Sequence, residues 1–160
     1  MAPSNPRITV IAGVNGAGKS SIAGEYIRDH GSNYFNPDER AADILLLTPE
    51  ISREGANSQA WHDMVNTLRK AVAARLDYAF ETTLGGNTIT GILRDAADAG
   101  MDVAVWYVGL RDIAQHVERV AARVRAGGHD IPFEKIAQRY KSSRENLLVL
   151  LPNRGASAVR

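Results

Sequence analysis

The sequence predicts an α/β fold in which a parallel β-sheet carries helices on both faces. Three observations point there. Apolar β-branched stretches alternate with helical stretches along most of the 160 residues, the pattern of successive strand–helix–strand units rather than of hairpins. A glycine-rich turn, Gly13-Val-Asn-Gly-Ala-Gly-Lys-Ser20, joins the first of these strands to the first helix. The composition, 44% hydrophobic and 23% charged, is that of a globular chain with one core, and no repeat or low-complexity tract divides it into further domains.

Taken in order, residues 1–6 read as a disordered lead. Arg7-Ile-Thr-Val-Ile-Ala12 is apolar and β-branched enough for a buried strand, and residues 18–29 form a helix after the glycine turn. Tyr34-Phe35-Asn36 is a short strand that enters a helix through Pro37, whose fixed φ suits the first helical position. Ser52 or Ser58 caps a long helix reaching about Leu76, with Trp61, Val65, Leu68, Val72 and Leu76 as its apolar stripe. Residues 77–82 are the next strand. Residues 88–99 are helical and stop at Gly100; residues 102–110 are the strongest strand of the chain. Helices over 113–126 and 133–151 complete the pattern. Trp61, Trp106 and Tyr107 read as core aromatics.

Composition excludes several functions. With no cysteine there are no disulfides, zinc–cysteine sites or cysteine nucleophiles. The apolar runs fall far short of the roughly 20 residues of a membrane span, and no basic segment precedes an apolar one at the N-terminus. The expectation is a cytoplasmic protein without a membrane partner. A net charge of +1 argues against a general nucleic-acid binder. That near-neutral total conceals a basic stretch, since residues 111–144 hold eight Lys/Arg against four Asp/Glu, a local field that attracts phosphorylated ligands.

The glycine turn matches GxxxxGK[ST] in the strand–turn–helix context which that motif requires. Its glycines let successive backbone N–H groups curl round a phosphate at a helix N-terminus. Gly13, Val14, Asn15, Gly16, Ala17, Gly18, Lys19, Ser20 and Ser21 are therefore the expected nucleotide-binding set. Lys19 would bridge the β- and γ-phosphates of ATP or GTP, and the Ser20 hydroxyl would ligate Mg²⁺. The chain is thus read as a P-loop NTPase, although the motif does not specify a phosphoryl acceptor.

In open α/β sheets ligands lie beyond the carboxyl ends of the strands. Two carboxylates fall there, Asp38 after the second strand and Glu81 at the end of the third. Asp38 suits the base that orients and deprotonates an acceptor hydroxyl; it could instead be a helix cap or a first-turn charge. Glu81 suits holding the acceptor, since a carboxylate closing an apolar strand is costly to bury idle; it could instead cap a helix or pair with an arginine. Thr82 and Thr83 are candidate substrate contacts. No acidic residue ends the 102–110 strand, so Mg²⁺ would rest on Ser20, the phosphates and water, with Asp38 or Glu81 as further oxygen donors.

Arg119 and Arg123 share one helical face, and Arg139 and Arg144 lie on the helix that follows the Gly127-Gly128-His129 turn. This arrangement looks like a small helical lid over 111–144 whose guanidinium groups close on a transferring phosphate, or else like a solvated basic face. His129 reads as a turn residue rather than a base.

The strings Val-Asn-Gly-Ala-Gly-Lys-Ser, Phe-Asn-Pro-Asp-Glu and Phe-Glu-Thr-Thr-Leu, with Glu118-Arg-Val-Ala-Ala-Arg-Val-Arg-Ala-Gly-Gly-His-Asp-Ile-Pro132 and Arg139-Tyr140, resemble the zeta-toxin family of P-loop kinases, particularly its short stand-alone members. The resemblance covers nearly the full chain. It implies one adenylate-kinase-like domain over 1–160 and ATP-dependent phosphorylation of a small hydroxyl compound, a UDP-N-acetyl sugar in the toxins, with an antitoxin as partner in some systems. By that resemblance Asp38 is the catalytic base, Glu81 the substrate-holding carboxylate, and Arg119, Arg123 and Arg139 the γ-phosphate arginines. The alternative is a nucleotide-binding regulatory or toxin–antitoxin interaction module with weak or no kinase activity. Members of the group usually continue into a further strand, whereas here at most residues 156–160 form a stub. The expected open sheet edge would pair with a partner or a second copy.

Overall fold

The computed structural model describes residues 5–30 and 34–151. In chain order the elements are β1 (Arg7–Ala12), α1 (Lys19–His30), β2 (Tyr34–Phe35), α2 (Pro37–Leu47), α3 (Arg53–Ala74), β3 (Tyr78–Thr82), α4 (Asn87–Asp98), β4 (Asp102–Tyr107), α5 (Ile113–Arg125) and α6 (Phe133–Leu150). The four strands form one sheet in the order β2-β3-β1-β4, and every pairing is parallel. The predicted α/β fold with a parallel sheet is therefore the observed one.

Central position explains the composition of β1. Paired on both edges and covered on both faces, it has Ile8, Val10, Ile11 and Ala12 at 0% exposure. Ile8, Val10 and Ala12 join Phe80 in the main core with Met64, Val65, Leu68 and Ala71 of α3 and Ile89, Leu93 and Ala96 of α4. A second cluster of small residues, Ala41, Ala56 and Ala60 with Ile44, lets α2 and α3 pack closely. The third joins Val14 of the glycine turn to Val120 of α5 and Ile136 of α6, so the turn itself anchors both C-terminal helices.

Local chemistry sets the helix ends. Asn36 caps α2 by accepting from the backbone N–H groups of Asp38 and Glu39, with Pro37 at the start of the helix. Of the two candidate caps for α3, Ser52 is the one used; its Oγ accepts from Gly55 N at 3.0 Å. Gly100, at φ 74, follows α4 in the left-handed conformation expected of a stop.

Several expectations need correction. β4 ends at Tyr107 rather than at 110, because Tyr107 pairs with Ala12, the last residue of β1, its one neighbour among the described strands, and the bond from Val108 N to Ala12 O is the last of that ladder. Leu76 is exposed beyond the end of α3, and Trp61 is 38% exposed; the inward face of α3 runs instead through Ala56, Ala60, Met64, Val65, Leu68 and Ala71. Trp106 is 42% exposed on edge strand β4, edge-on to Tyr26, and Tyr107 is half-buried with its hydroxyl hydrogen-bonded to Ser143. Pro6 of the expected lead belongs to the fold, since Asp102 N donates to Pro6 O. The rest of that lead and the 156–160 stub lie outside the described residues.

α5 docks on the glycine turn through two close contacts. His116, 1% exposed, donates from Nδ1 to Asn15 O at 2.9 Å, and its ring lies edge-on to Tyr140. Gly16, at φ 80, sits so close that a Cβ there would lie 2.8 Å from His116 O. Gly13 is equally constrained on the other side, where a Cβ would meet Val108 O at 2.4 Å.

Two stability predictions follow from this packing. Gly13→Ala destabilises the fold by about 2 kcal/mol or more, through a steric clash at a positive φ, measured by urea unfolding; an unchanged midpoint would refute the tight docking. Burial holds the His116 imidazole below its usual pKa despite its bond to Asn15. Protons then bind the unfolded chain first as pH falls through about 6.5, so this contribution is present at neutral pH and lost on acidification. His116→Asn, which keeps a donor but does not titrate, flattens that loss between pH 7.5 and 5.5.

Candidate functional site

The glycine turn lies at the carboxyl end of β1, flanked by the ends of its two partners. Gly13 N donates to Thr82 O of β3, and Val108 N after β4 donates to Ala12 O. Gly13, Gly16 and Gly18 all have positive φ, the backbone path that glycine permits at low cost. Val14, Asn15 and Ala17 are buried beneath the loop, while Gly18, Ser20 and Ser21 face outward at the start of α1. A cavity of about 210 Å³ opens over this turn, lined by Asn15, Gly16, Gly18, Lys19, Ser20, Asp38, Glu81, Arg119 and Arg123.

Lys19 is 8% exposed and turned inward. Its Nζ donates to Gly13 O at 2.8 Å and lies 3.7 Å from Glu81 Oε1. Burial lowers its pKa most strongly; Glu81 and Asp38 oppose that shift, and Arg123 and Arg139 add to it. Glu81, 6% exposed and in register with Ile11 of β1, also accepts from the Tyr34 hydroxyl at 2.8 Å. Burial and the Glu81 carboxylate together push the Tyr34 phenol well above its ordinary range, which fixes it as a donor. The salt-bridge alternative for Glu81 is thus realised with Lys19, not with an arginine.

The cap of α2 is Asn36, not Asp38; Asp38 stands in the first turn, where the alternative reading of a first-turn charge is realised. Its carboxylate is exposed, and its charge acts on Lys19, His129 and Arg139 together. Arg139 donates from Nη1 to Asn15 Oδ1 at 2.7 Å, and burial lowers its pKa against the pull of Asp38. Arg119 reaches Ala17 O at 3.5 Å. Arg123 donates to His129 O at 3.4 Å and folds its stem over Gly128, where a Cβ would lie 2.7 Å from Arg123 Cγ. Arg144 stands apart, stacked on Tyr140 at 4.0 Å and bonded to Leu110 O. Three of the four sequence-flagged arginines therefore converge and one is structural.

A second, larger cavity of about 530 Å³ adjoins the first, and Asn15, Lys19, Asp38 and Glu81 line both. Thr82 and Thr83 are on its wall, although Thr82 Oγ1 also accepts from Leu84 N. The loop beyond them is held by Asn146, which donates to Leu84 O and Gly86 O, while Gly85 lies against the Arg139 stem. His129 lies in the irregular connection beyond the Ala126-Gly127 turn and lines this cavity.

Sequence reading missed Tyr34, His116 and the cavity wall supplied by α3, including Arg53, Asn57 and Trp61. Only the wall left a trace, in polar residues one turn apart beside a tryptophan.

No protein-family model matches the chain. An uncharacterized protein of Haemophilus influenzae is 27% identical over 128 residues, 80% of this chain and 88% of that protein. Among solved structures, a candidate kinase from Chloroflexus aurantiacus matches with a TM-score of 0.66 at 14% identity, covering 88% of this chain and 80% of that one. The AvrRxo1-ORF1:-ORF2 structure with ATP matches at 0.67 and 16% identity, covering 92% of this chain but 50% of that one. The PezAT chromosomal toxin-antitoxin system of Streptococcus pneumoniae matches at 0.58 and 12% identity, covering 94% and 67%. As the resemblance to the zeta-toxin P-loop kinases implies, the chain has the α/β P-loop kinase fold that these structures share.

Proposed function

We propose that the chain is an ATP-dependent kinase that phosphorylates a hydroxyl group of a small molecule. The observation that carries this reading is the pair of adjoining cavities, one over the glycine turn and one beyond it, with Asn15, Lys19, Asp38 and Glu81 on the wall of both. A donor and an acceptor of a phosphoryl group need that adjacency, with a proton acceptor between them.

The residues present fit a nucleoside triphosphate. Positive-φ glycines, a helix N-terminus, the Lys19 ammonium and two guanidinium groups surround the smaller cavity, and the Ser20 hydroxyl is the oxygen donor suited to Mg²⁺. ATP with Mg²⁺ supplies the phosphoryl group. Lys19, Arg119 and Arg123 offset charge on the phosphate side, and Arg139, held by Asn15, does so from the acceptor side. Asp38 takes the proton of the attacking hydroxyl, which its exposed carboxylate between the cavities can reach. Glu81, fixed by Tyr34 and Lys19, and Thr83 orient the acceptor.

On this reading residues 1–160 act as one kinase domain in the cytoplasm, with 111–144 as the lid. A UDP-N-acetyl sugar is the acceptor to test first, on the resemblance to zeta toxins. The likeness to the PezAT toxin-antitoxin structure supports an antitoxin-type protein partner. β4 pairs only with β1 among the described strands, and its free edge supports pairing with a second copy.

Two substitutions test the assignment. Asp38→Asn lowers kcat by about 10²- to 10⁴-fold, the usual worth of a general base, while the Kd for ATP stays within about threefold; ADP release and a mass gain of one phosphate on the acceptor are the readouts. Retained turnover would exclude Asp38 as the base, and absence of any wild-type turnover across sugar nucleotides and alcohols would favour a non-catalytic nucleotide-binding module. Gly128→Ala displaces the Arg123 stem and lowers kcat by about tenfold or more, with little change in the KM for ATP. Normal kcat in that variant would remove Arg123 from the transition state.

A further inference from the structure

We infer that Tyr34 is a positioning residue for the phosphate site, acting through Glu81 on Lys19. It sets how firmly Lys19 is held before a nucleotide arrives, and it keeps Glu81 in place once Lys19 turns to the phosphates. Tyr34 lines neither cavity, so its influence passes through the carboxylate rather than through a ligand contact. The inference rests on the kinase reading and adds to it a residue outside both cavities.

The geometry of the sheet supports it. Tyr34 and Ala79 are partners in the β2–β3 ladder, and Glu81 lies two residues further along β3, so all three side chains leave the same face. The phenol reaches along that face toward the carboxyl end of the strand and donates to Glu81 Oε2 at 2.8 Å. Lys19 Nζ stands 3.7 Å from the other oxygen, Oε1, too far for a hydrogen bond, while it donates to Gly13 O at 2.8 Å. Among the described residues, the Tyr34 hydroxyl is therefore the one hydrogen-bond donor to a carboxylate that is 6% exposed. Burial and the Glu81 charge keep the phenol protonated, so the donation persists across neutral pH.

The carboxylate is thus divided between two partners of different kinds. A charge buried this deeply is stable only with its hydrogen bonds met. Tyr34 meets one of them without adding charge, so Glu81 stays back from the ammonium at 3.7 Å. The remaining Lys19 N–H donors make no hydrogen bond among the described residues and can turn to phosphate oxygens. Without the hydroxyl, both Glu81 oxygens depend on Lys19 and the ion pair tightens. A phosphate must then break a direct, desolvated salt bridge before it gains the lysine. The Tyr34 ring lies 6.5 Å from that of Tyr26; phenylalanine keeps this contact and the β2–β3 pairing and removes only the donor.

The experiment measures by calorimetry the Kd of a non-hydrolysable ATP analogue with Mg²⁺. Parent, Tyr34→Phe, Glu81→Gln and the double variant are compared, with thermal melts of each. Tyr34→Phe raises Kd about fivefold or more, and Glu81→Gln lowers it about twofold or more by removing the carboxylate that competes for Lys19. In the double variant the loss caused by Tyr34→Phe disappears, leaving Kd within about twofold of Glu81→Gln alone. A tyrosine that only braced β2 would weaken binding equally in both backgrounds. Additive effects, or an unchanged Kd in Tyr34→Phe, overturn the proposal. Loss of folding in Tyr34→Phe that Glu81→Gln does not restore assigns the hydroxyl to packing and overturns it too.

Turnover separates this from failure of the kinase reading. Analogue binding needs no acceptor, so the comparison decides the role of Tyr34 whether or not any hydroxyl compound is phosphorylated. Coupled Kd values without turnover support the Tyr34 assignment and remove the kinase; normal turnover with additive Kd values does the reverse. A parent chain that does not bind the analogue overturns both.

Discussion

The buried ammonium of Lys19 is the constraint on which the site depends. A charge at 8% exposure is tolerated only with a countercharge and satisfied hydrogen bonds. Gly13 O and Glu81 meet that need, and each partner extends the demand outward. Glu81 must be buried beside Lys19 on a strand adjacent to β1, and it takes a second hydrogen bond from Tyr34 on β2. One ionic contact thus ties α1, the glycine turn and three strands into a fixed geometry. The sheet order β2-β3-β1-β4 brings all of them to the same edge.

Asn15 provides the complementary tie to the C-terminal helices. Its carbonyl accepts from His116 of α5 and its side-chain oxygen from Arg139 of α6, while Val14 beside it packs on Val120 and Ile136. The glycines make this possible, because a Cβ at Gly13 or Gly16 would collide with the β4–α5 connection or α5 itself. Their role in packing is thus as direct as any role in admitting a phosphate. The same crowding at Gly128 sets the path of Arg123, so a residue far from the turn in sequence governs what faces it.

Features carried by local sequence were legible in advance, and features set by a neighbour were not. The strand Arg7–Ala12 and the GxxxxGKS turn identify themselves, since β-branching and glycine spacing are properties of contiguous residues. Asp38 and Glu81 were legible as carboxylates at strand ends, although only the structure gives Glu81 a lysine partner and moves the α2 cap to Asn36. The end of β4 was not legible, because it is fixed by where β1 stops. Trp61 was assigned inward by hydropathy alone, whereas the helix turns its small residues Ala56 and Ala60 toward α2. Tyr34 and His116 left no signal, since a lone tyrosine or histidine acquires its function only from a distant partner. Arg144, by contrast, had the spacing of a site residue and proved to stack on Tyr140.

The electrostatic balance of the site gives these ties a consequence. Lys19, Arg119, Arg123 and Arg139 converge on two cavities whose shared carboxylates are only Asp38 and Glu81, and burial already disfavours the charged forms of Lys19 and Arg139. Like charges held this close raise the free energy of the fold. An anion among them relieves that repulsion and adds charge-assisted hydrogen bonds, so phosphate binding and stability are linked by mass action. Because Lys19 already holds Glu81 and Gly13 O, an arriving phosphate competes for a lysine that is in place rather than ordering a free one. Preorganisation of this kind lowers the entropy cost of binding an anion there.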